Sequence, residues 1–276
     1  MTCTIRISRA ALAALTLVLA VPAGASAQDF LRGSLFNSAG TRWDGINLGV
    51  QLGLSNMHAD FGNSTSALVA FALRNTTVEN EFSPSSWTTL PSTTTNGRQY
   101  GAFLGYNVQW DQLVVGFDLA YNRTSSLEAS ASDSIARQVV TSDNVNNVVT
   151  ITAQSSVTLI DYATMRARAG YAFGQFLPYA VVGAAVGRFD YANTATVHDV
   201  GTPLAGSSVS AFNTLDTESD SKNNAVVGGA LVGLGLDVAV LPHVFVRAEW
   251  EYIAFAPVGG IRTTLNTGRV GIGARF

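Results

Sequence analysis

Cysteine is all but absent from this chain of 276 residues, and the single one, Cys3, lies at its extreme start. A disulfide framework, a thiol nucleophile and a cysteine metal site are therefore excluded. Charge is scarce too: Asp, Glu, Lys and Arg make up 13% of the residues, 16 basic against 19 acidic. Nucleic-acid binding has no electrostatic support in such a balance, and no nucleic-acid partner is expected. Long apolar runs are missing beyond the first thirty residues, although hydrophobic residues reach 47% and mean hydropathy is positive. The apolar surface must be spread residue by residue, as it is along membrane strands.

The one apolar run has a recognisable setting. Arg6 and Arg9 precede Ala10–Val21, followed by Pro22 and Ala25-Ser26-Ala27. A basic start, a short apolar core and an A-x-A ending predict a cleaved secretory signal over residues 1–27, too short for a permanent span. Cys3 precedes the run, so lipoprotein processing does not fit. Taking Arg6 and Arg9 from the 16 basic residues leaves 14 against 19 acidic, a mature balance of −5. Residues 28–43 are expected to form a periplasmic N-terminal segment and residues 44–276 the folded part.

Within that part a period of two dominates. Over Ile46–Ser55, Ile46, Leu48, Val50, Leu52 and Leu54 alternate with Asn47, Gly49, Gln51, Gly53 and Ser55. Only an extended strand uses such a period. The pattern returns in Tyr100–Trp110, Leu113–Asn122, Leu159–Tyr171, Leu177–Phe189, Ala225–Val240, Val244–Ala254 and Thr263–Phe276. Each of the eight meets the roughly 9–11 residues that a tilted membrane strand needs. Asp111-Gln112, Ala172–Phe176 and Leu241-Pro242-His243 read as tight turns. Ala59–Gly97, Arg123–Ser156 and Asp190–Lys222 read as long polar loops, with a shorter one at Phe255–Arg262. The expectation is an all-β, eight-stranded antiparallel transmembrane barrel with short periplasmic turns and long extracellular loops. A transmembrane helix over Ala225–Val246 is the rival reading; Asp237, Pro242 and glycines 228, 229, 233 and 235 oppose it.

Parity sorts the charges. With the apolar side outward, the inward set holds Asp118, Arg166, Arg168, Asp237, Arg247, Glu249, Glu251, Arg269 and Arg275. Counting back from Leu241–His243 sets Val240 opposite Val244, and Asp237 opposite Arg247. Asp118 and Arg166 fall at similar height on neighbouring strands. Arginine facing lipid costs about 2–4 kcal/mol at mid-depth, and unpaired charge inside a narrow ring is also costly. An interior ion-pair network of these nine residues is expected. Gly49, Gly53, Gly101, Gly105, Gly233 and Gly235 would make room for it. Arg98, Arg188, Arg262 and Asp161 take the outward parity near the long-loop end, and both faces of Leu177–Phe189 are apolar. Trp110, Tyr171, Phe276, Tyr121 and Tyr252 fit interfacial girdles.

Several short motifs now suggest a family. Trp43-Asp44-Gly45-Ile46-Asn47-Leu48-Gly49 resembles the tryptophan-led first strand of the alphaproteobacterial porin-like, outer-membrane immunogenic β-barrel family. Arg166-Ala167-Arg168-Ala169-Gly170-Tyr171-Ala172 with Leu177-Pro178-Tyr179 resembles its fourth and fifth strands, and Arg247-Ala248-Glu249-Trp250-Glu251-Tyr252 its seventh. The ending, Arg269-x-Gly271-x-x-Ala274-x-Phe276, resembles the strand signal read by the barrel assembly machinery, with Ala274 where an aromatic is usual. The resemblance implies the bacterial outer membrane, with its lipid, lipopolysaccharide and the assembly machinery as partners.

Three functional readings follow. The first is a non-enzymatic structural or surface protein, related in build to OmpA-type barrels and supporting envelope integrity and surface contacts. The second is a narrow porin or a small-ligand barrel, haem being the ligand the resemblance implies for some members. The third is an outer-membrane lipid-modifying enzyme, for which His58, His198 and His243 show no evident convergence. Asp216, Glu218 and Asp220 read as solvated loop acids rather than a cation site. No catalytic, cofactor or metal-binding set stands out, no cofactor is expected, and the sequence fixes no oligomeric state.

Overall fold

The computed structural model describes residues 42–125 and 127–276; the expected signal over 1–27 and most of segment 28–43 lie outside the described residues. Among the described residues nine strands follow one another: β1 (Gly45–Asp60), β2 (Thr93–Trp110), β3 (Leu113–Ser125), β4 (Glu128–Val140), β5 (Val145–Tyr171), β6 (Phe176–Pro203), β7 (Phe212–Leu241), β8 (Val244–Phe255) and β9 (Arg262–Arg275). They pair antiparallel in the order β3-β2-β1-β9-β8-β7-β6-β5-β4, and a further pairing of β3 with β5 closes the sheet on itself. Eight strands therefore form a ring without open edges. β4 takes over on β5 where β3 stops: β3 pairs with residues 161–171 of β5, β4 with residues 146–158.

The ring closes where chain start meets chain end. Ile46 N donates to Phe276 O at 3.1 Å and Phe276 N to Ile46 O at 2.9 Å. Gly45 makes this possible: its φ is +102°, and a Cβ there would stand 2.0 Å from Phe276 O. At Asp111-Gln112 the chain reverses tightly, leaving Trp110 opposite Leu113. Residues 225–246, the region of the rival helix, are β7, a tight turn and the start of β8. One register count needs correction. Leu241, not Val240, faces Val244, because Val240 bulges; the bulge restores Asp237 opposite Arg247.

The long connections also need correction. Most of Arg123–Ser156 and Asp190–Lys222 is not loop but strand, extending β4–β7 far beyond the ring. Ala59–Gly97 carries two short helices, α1 (Ser66–Ala72) and α2 (Thr77–Phe82). Thr76 caps α2 by accepting from Glu79 N at 3.2 Å, a T-x-x-E capping arrangement present in the sequence. Val69, Leu73 and Val78 of this insert pack with Val149, Ile151, Ala195 and Val197 of the extended β5 and β6. The helices exist because the extended strands offer an apolar face that must be covered.

Two faces of the ring differ completely. Ile46, Leu48, Val50, Leu52 and Leu54 of β1 are all exposed, as are Leu104, Phe117, Val182, Val232, Trp250 and Val270 on other strands. On β6 the outward set includes Val182 and Val186, while Leu177, Tyr179, Val181 and Phe189 point inward. The belt on β1 runs roughly 26 Å along the strand, or about 20 Å in height at a tilt of ~40°. Above it an outward asparagine ladder crosses three strands: Asn56 pairs with Asn96 and Asn266, and its Nδ2 donates to Asn96 Oδ1 at 2.8 Å. Trp110, Tyr121, Tyr171 and Phe276 are exposed near strand ends, and Tyr252 half-buried.

Candidate functional site

Strand β8 displays the interior in order. Its inward residues run Phe245, Arg247, Glu249, Glu251, Ile253 and Phe255, so an ionic layer lies between apolar ones. At the tight-turn end Trp43, Phe103 and Phe245 form the floor, with Trp43 edge-on to Phe245 at a centroid distance of 6.3 Å. Trp43, expected in the segment ahead of the sheet, is thus packed inside it, its N donating to Gln109 Oε1 at 2.6 Å. At the far end Met57, Leu159, Phe189, Phe255 and Leu265 close the layer.

The ionic layer joins eight of the nine residues picked out by parity. Arg247 binds Asp237 through two bonds, Nε to Oδ1 at 2.9 Å and Nη2 to Oδ2 at 3.1 Å, and its Nη1 lies 3.4 Å from Asp118 Oδ2. Arg168 Nη2 donates to Asp237 Oδ2 at 2.8 Å. Arg166, directly across from Asp118 in register, donates to Glu249 and to Glu251 Oε2, the latter at 2.9 Å. Arg269 donates to both glutamates, at 2.8 Å from Nε to Glu249 Oε1 and 2.6 Å from Nη2 to Glu251 Oε2. Four arginines meet four carboxylates, so the layer is neutral. Such fork-shaped pairing is what makes buried guanidinium tolerable.

Arg275 stands apart. Its Nη2 donates to Pro242 O at 2.7 Å and its guanidinium lies 4.8 Å over Trp43. At the last inward position of β9 it joins the layer through no ion pair; a main-chain carbonyl takes one of its donors and an aromatic face lies beneath it. The glycine expectation also changes. Space at Gly105 is taken by Asp118 and at Gly53 by Gln99 and Arg269, but Gly49 admits the Phe103 ring and Gly235 the Tyr179 ring. Gly101 borders Asn122, and Gly233 borders Val181.

Aromatics therefore share the site, which charge parity alone did not reveal. Tyr179 Oη donates to Glu249 Oε2 at 2.8 Å, and the Arg168 guanidinium lies 3.8 Å over its ring. Arg247 lies 4.1 Å over Phe103. Neutral side chains extend the network: Tyr162 Oη to Gln99 Oε1 at 2.6 Å and Gln51 Nε2 to Asn122 Oδ1 at 2.6 Å. The signal that could have found Tyr179 was the turn at Ala172–Phe176, which fixes odd residues of β6 inward.

Exposure decides what this interior can do. Asp118, Arg166 and Glu251 are 0% exposed, so no water-sized space adjoins them. The arrangement ties β3, β5, β8 and β9 to one another through the Arg166–Asp118, Arg166–Glu251 and Arg269–Glu251 pairs. On the outside, Asp161 and Arg188 satisfy each other, Nε to Oδ1 at 3.2 Å, and Tyr121 Oη donates to Asp161 Oδ2 at 3.0 Å. In the terminal strand, Arg269 and Gly271 are on the inward side, while Ala274 and Phe276 are outward, Phe276 strongly exposed. The histidines are scattered: His58 bonds Thr94, His198 bonds Asn213, and His243 sits in the β7–β8 turn beside Arg275 O. Asp216, Glu218 and Asp220 lie on β7, not in a loop.

A closed antiparallel ring with an apolar exterior and paired charges inside is matched by a family description. The family of the outer membrane protein beta-barrel domain matches residues 11–276. The chain belongs to that family. No curated protein matches it. Among solved structures, this outer-membrane beta-barrel is similar to the attachment invasion locus protein Ail of Yersinia pestis at 13% identity, covering 84% of this chain and 99% of that one with a TM-score of 0.33. It is similar to Neisserial surface protein A at 13% identity, 83% and 97% coverage and a TM-score of 0.32. OprG of Pseudomonas aeruginosa gives 11%, 84%, 97% and 0.37 in the same terms. The assignment of this outer-membrane beta-barrel rests on the family match alone.

Proposed function

We propose that this outer-membrane beta-barrel is a closed, non-enzymatic surface protein that spans the bilayer, strengthens the envelope and offers its extended strands for contact outside the cell. One observation carries the reading: charges at 0% exposure are locked between apolar layers, inside a ring whose other face is an uninterrupted apolar belt. Exposed apolar surface on that scale belongs in lipid or against a partner. The tight turns then face the periplasm and the long extensions the exterior, in contact with lipopolysaccharide. The finer likeness to the alphaproteobacterial immunogenic barrels, and export by the residue 1–27 signal, belong to this reading.

The test is electrical. The full mature chain, refolded and added to a planar bilayer, is expected to give no steady unit conductance, and its band should migrate faster unheated than boiled. Regular single-channel steps would replace this reading with a narrow porin.

Assembly supplies a second expectation. Phe276 is exposed beyond the last inward arginine and also closes the ring through its backbone. Deleting it should reduce outer-membrane yield several-fold, read as surface protease accessibility in whole cells. An undiminished yield would remove Arg269, Gly271, Ala274 and Phe276 from the role of assembly signal.

A further inference from the structure

Beyond the ring, where the extended strands meet the helical insert, lies a cavity of about 580 Å³. It is bounded by residues 72–78 of the insert, the β4–β5 turn, β5, β6 and the start of β7. Its walls are apolar in part, through Leu73, Val78, Val197 and Phe212, yet two deeply buried acceptors line it. Asp199 is 4% exposed and Asn147 1%, and the Oδ1 of each has no hydrogen-bond partner. Asn147 is not ambiguous in orientation: its Nδ2 donates to Thr141 Oγ1 at 3.0 Å and Val145 O at 3.1 Å, which leaves Oδ1 as the free atom.

These acceptors share a neighbourhood by register. Val149 faces Asp199 and Asn147 faces Gly201 on adjacent strands, so the two side chains are diagonal neighbours on one face. Asp143 and Asp216 also border the space, whereas Arg74, which borders it too, is engaged with Phe71, donating to its carbonyl at 2.7 Å and lying 4.0 Å over its ring. Asp143 accepts from Thr77 and Thr141. Burial pushes the Asp199 carboxyl up to about 6, the neighbouring His198 opposing this. A buried acceptor without a donor is costly, and a ligand that supplies the donor recovers that cost.

We propose that this cavity binds a small organic cation, a protonated alkylamine whose ammonium donates to Asp199 and Asn147 while its chain packs on Val197 and Phe212. An ammonium carries three donors and no acceptor, which matches the two unpartnered acceptor oxygens of Asp199 and Asn147. A metal ion fits less well. Among the described residues no group of three or more His, Cys, Asp and Glu side chains is placed to hold one, and a divalent ion such as calcium wants six to eight oxygen ligands. The inference rests on the geometry of the extensions and does not require the ring to be closed to ions.

The experiment uses the full mature chain folded in detergent, with n-butylammonium as the probe and 1-butanol as its neutral counterpart. Calorimetry at pH 7.5 should give saturable millimolar binding of n-butylammonium and at least tenfold weaker binding of 1-butanol. That comparison needs no variant. Asp199→Asn, checked for folding by its unheated band, should weaken n-butylammonium at least tenfold, and Asp220→Asn, outside the cavity, should leave it unchanged. Equal binding of amine and alcohol would overturn the proposal. So would calcium chloride binding more tightly than the amine and displacing it.

Discussion

Arg247→Met is expected to lower the unfolding free energy by about 3–5 kcal/mol, the range for removing one partner of a buried ion pair. Arg247 makes the two-point contact with Asp237, approaches Asp118 and covers Phe103. Methionine preserves much of the length and apolar stem, so the loss isolates the charge rather than the packing. The layer then carries four carboxylates against three arginines, with Asp237 holding only Arg168. The companion Asp237→Asn/Arg247→Met restores neutrality and should recover part of the loss, a coupling that a double-mutant cycle reads directly. Urea unfolding in lipid vesicles, followed by tryptophan fluorescence, checks both. A single variant within about 1 kcal/mol of wild type would mean that Asp118, Asp237 and Arg168 rearrange without cost, contrary to the rigid pairing described.

A strand with one face in an apolar environment must alternate, so Ile46–Ser55 declares its sidedness, and a tight turn fixes height. Parity and turn counting together bring Asp118 across from Arg166 and Asp237 across from Arg247, because a two-residue period leaves few choices. The bulge at Val240 shows the limit: the wrong end pairing still led to the right interior pair, since the bulge absorbed one residue. Arg275 obeyed parity yet found a carbonyl and Trp43, because parity assigns a face and not a partner.

The extensions were hidden for different reasons. Bulges sit at one height, after Leu159 on β5 and after Phe189 on β6. On β5 the inward residues are even-numbered below that point, Arg166 and Arg168 among them, and odd-numbered above it, from Asn147 to Val157. A period read straight through contradicts itself there. In Phe212–Asn224 of β7 both faces are largely exposed, so no alternation is required and the stretch resembles a loop. The Asp199 cavity is walled by these segments and the helical insert, and no local motif announces it: its walls come from four separate stretches of the chain. The α2 cap, by contrast, is a local signal, Thr76 and Glu79 standing three residues apart at the helix start.

The second large effect concerns the other face of the ring. Val50→Arg should cost about 2–4 kcal/mol in a bilayer, whereas Asn56→Arg should cost about 0–1 kcal/mol. Val50 is outward in the middle of the β1 belt, with Leu48 and Leu52 along the strand and Ala102 and Ile272 across from it. None of these four neighbours carries an acid to receive a guanidinium, so the side chain must stretch to the surface or drag water inward. Asn56 belongs to the polar ladder with Asn96 and Asn266, where an arginine meets headgroups at once. Reversible urea titration of both variants in the same vesicles reads the difference, which depth alone generates because strand and face are shared. Equal costs at the two positions would deny that the belt faces lipid, and with it the reason for burying eight charges inside.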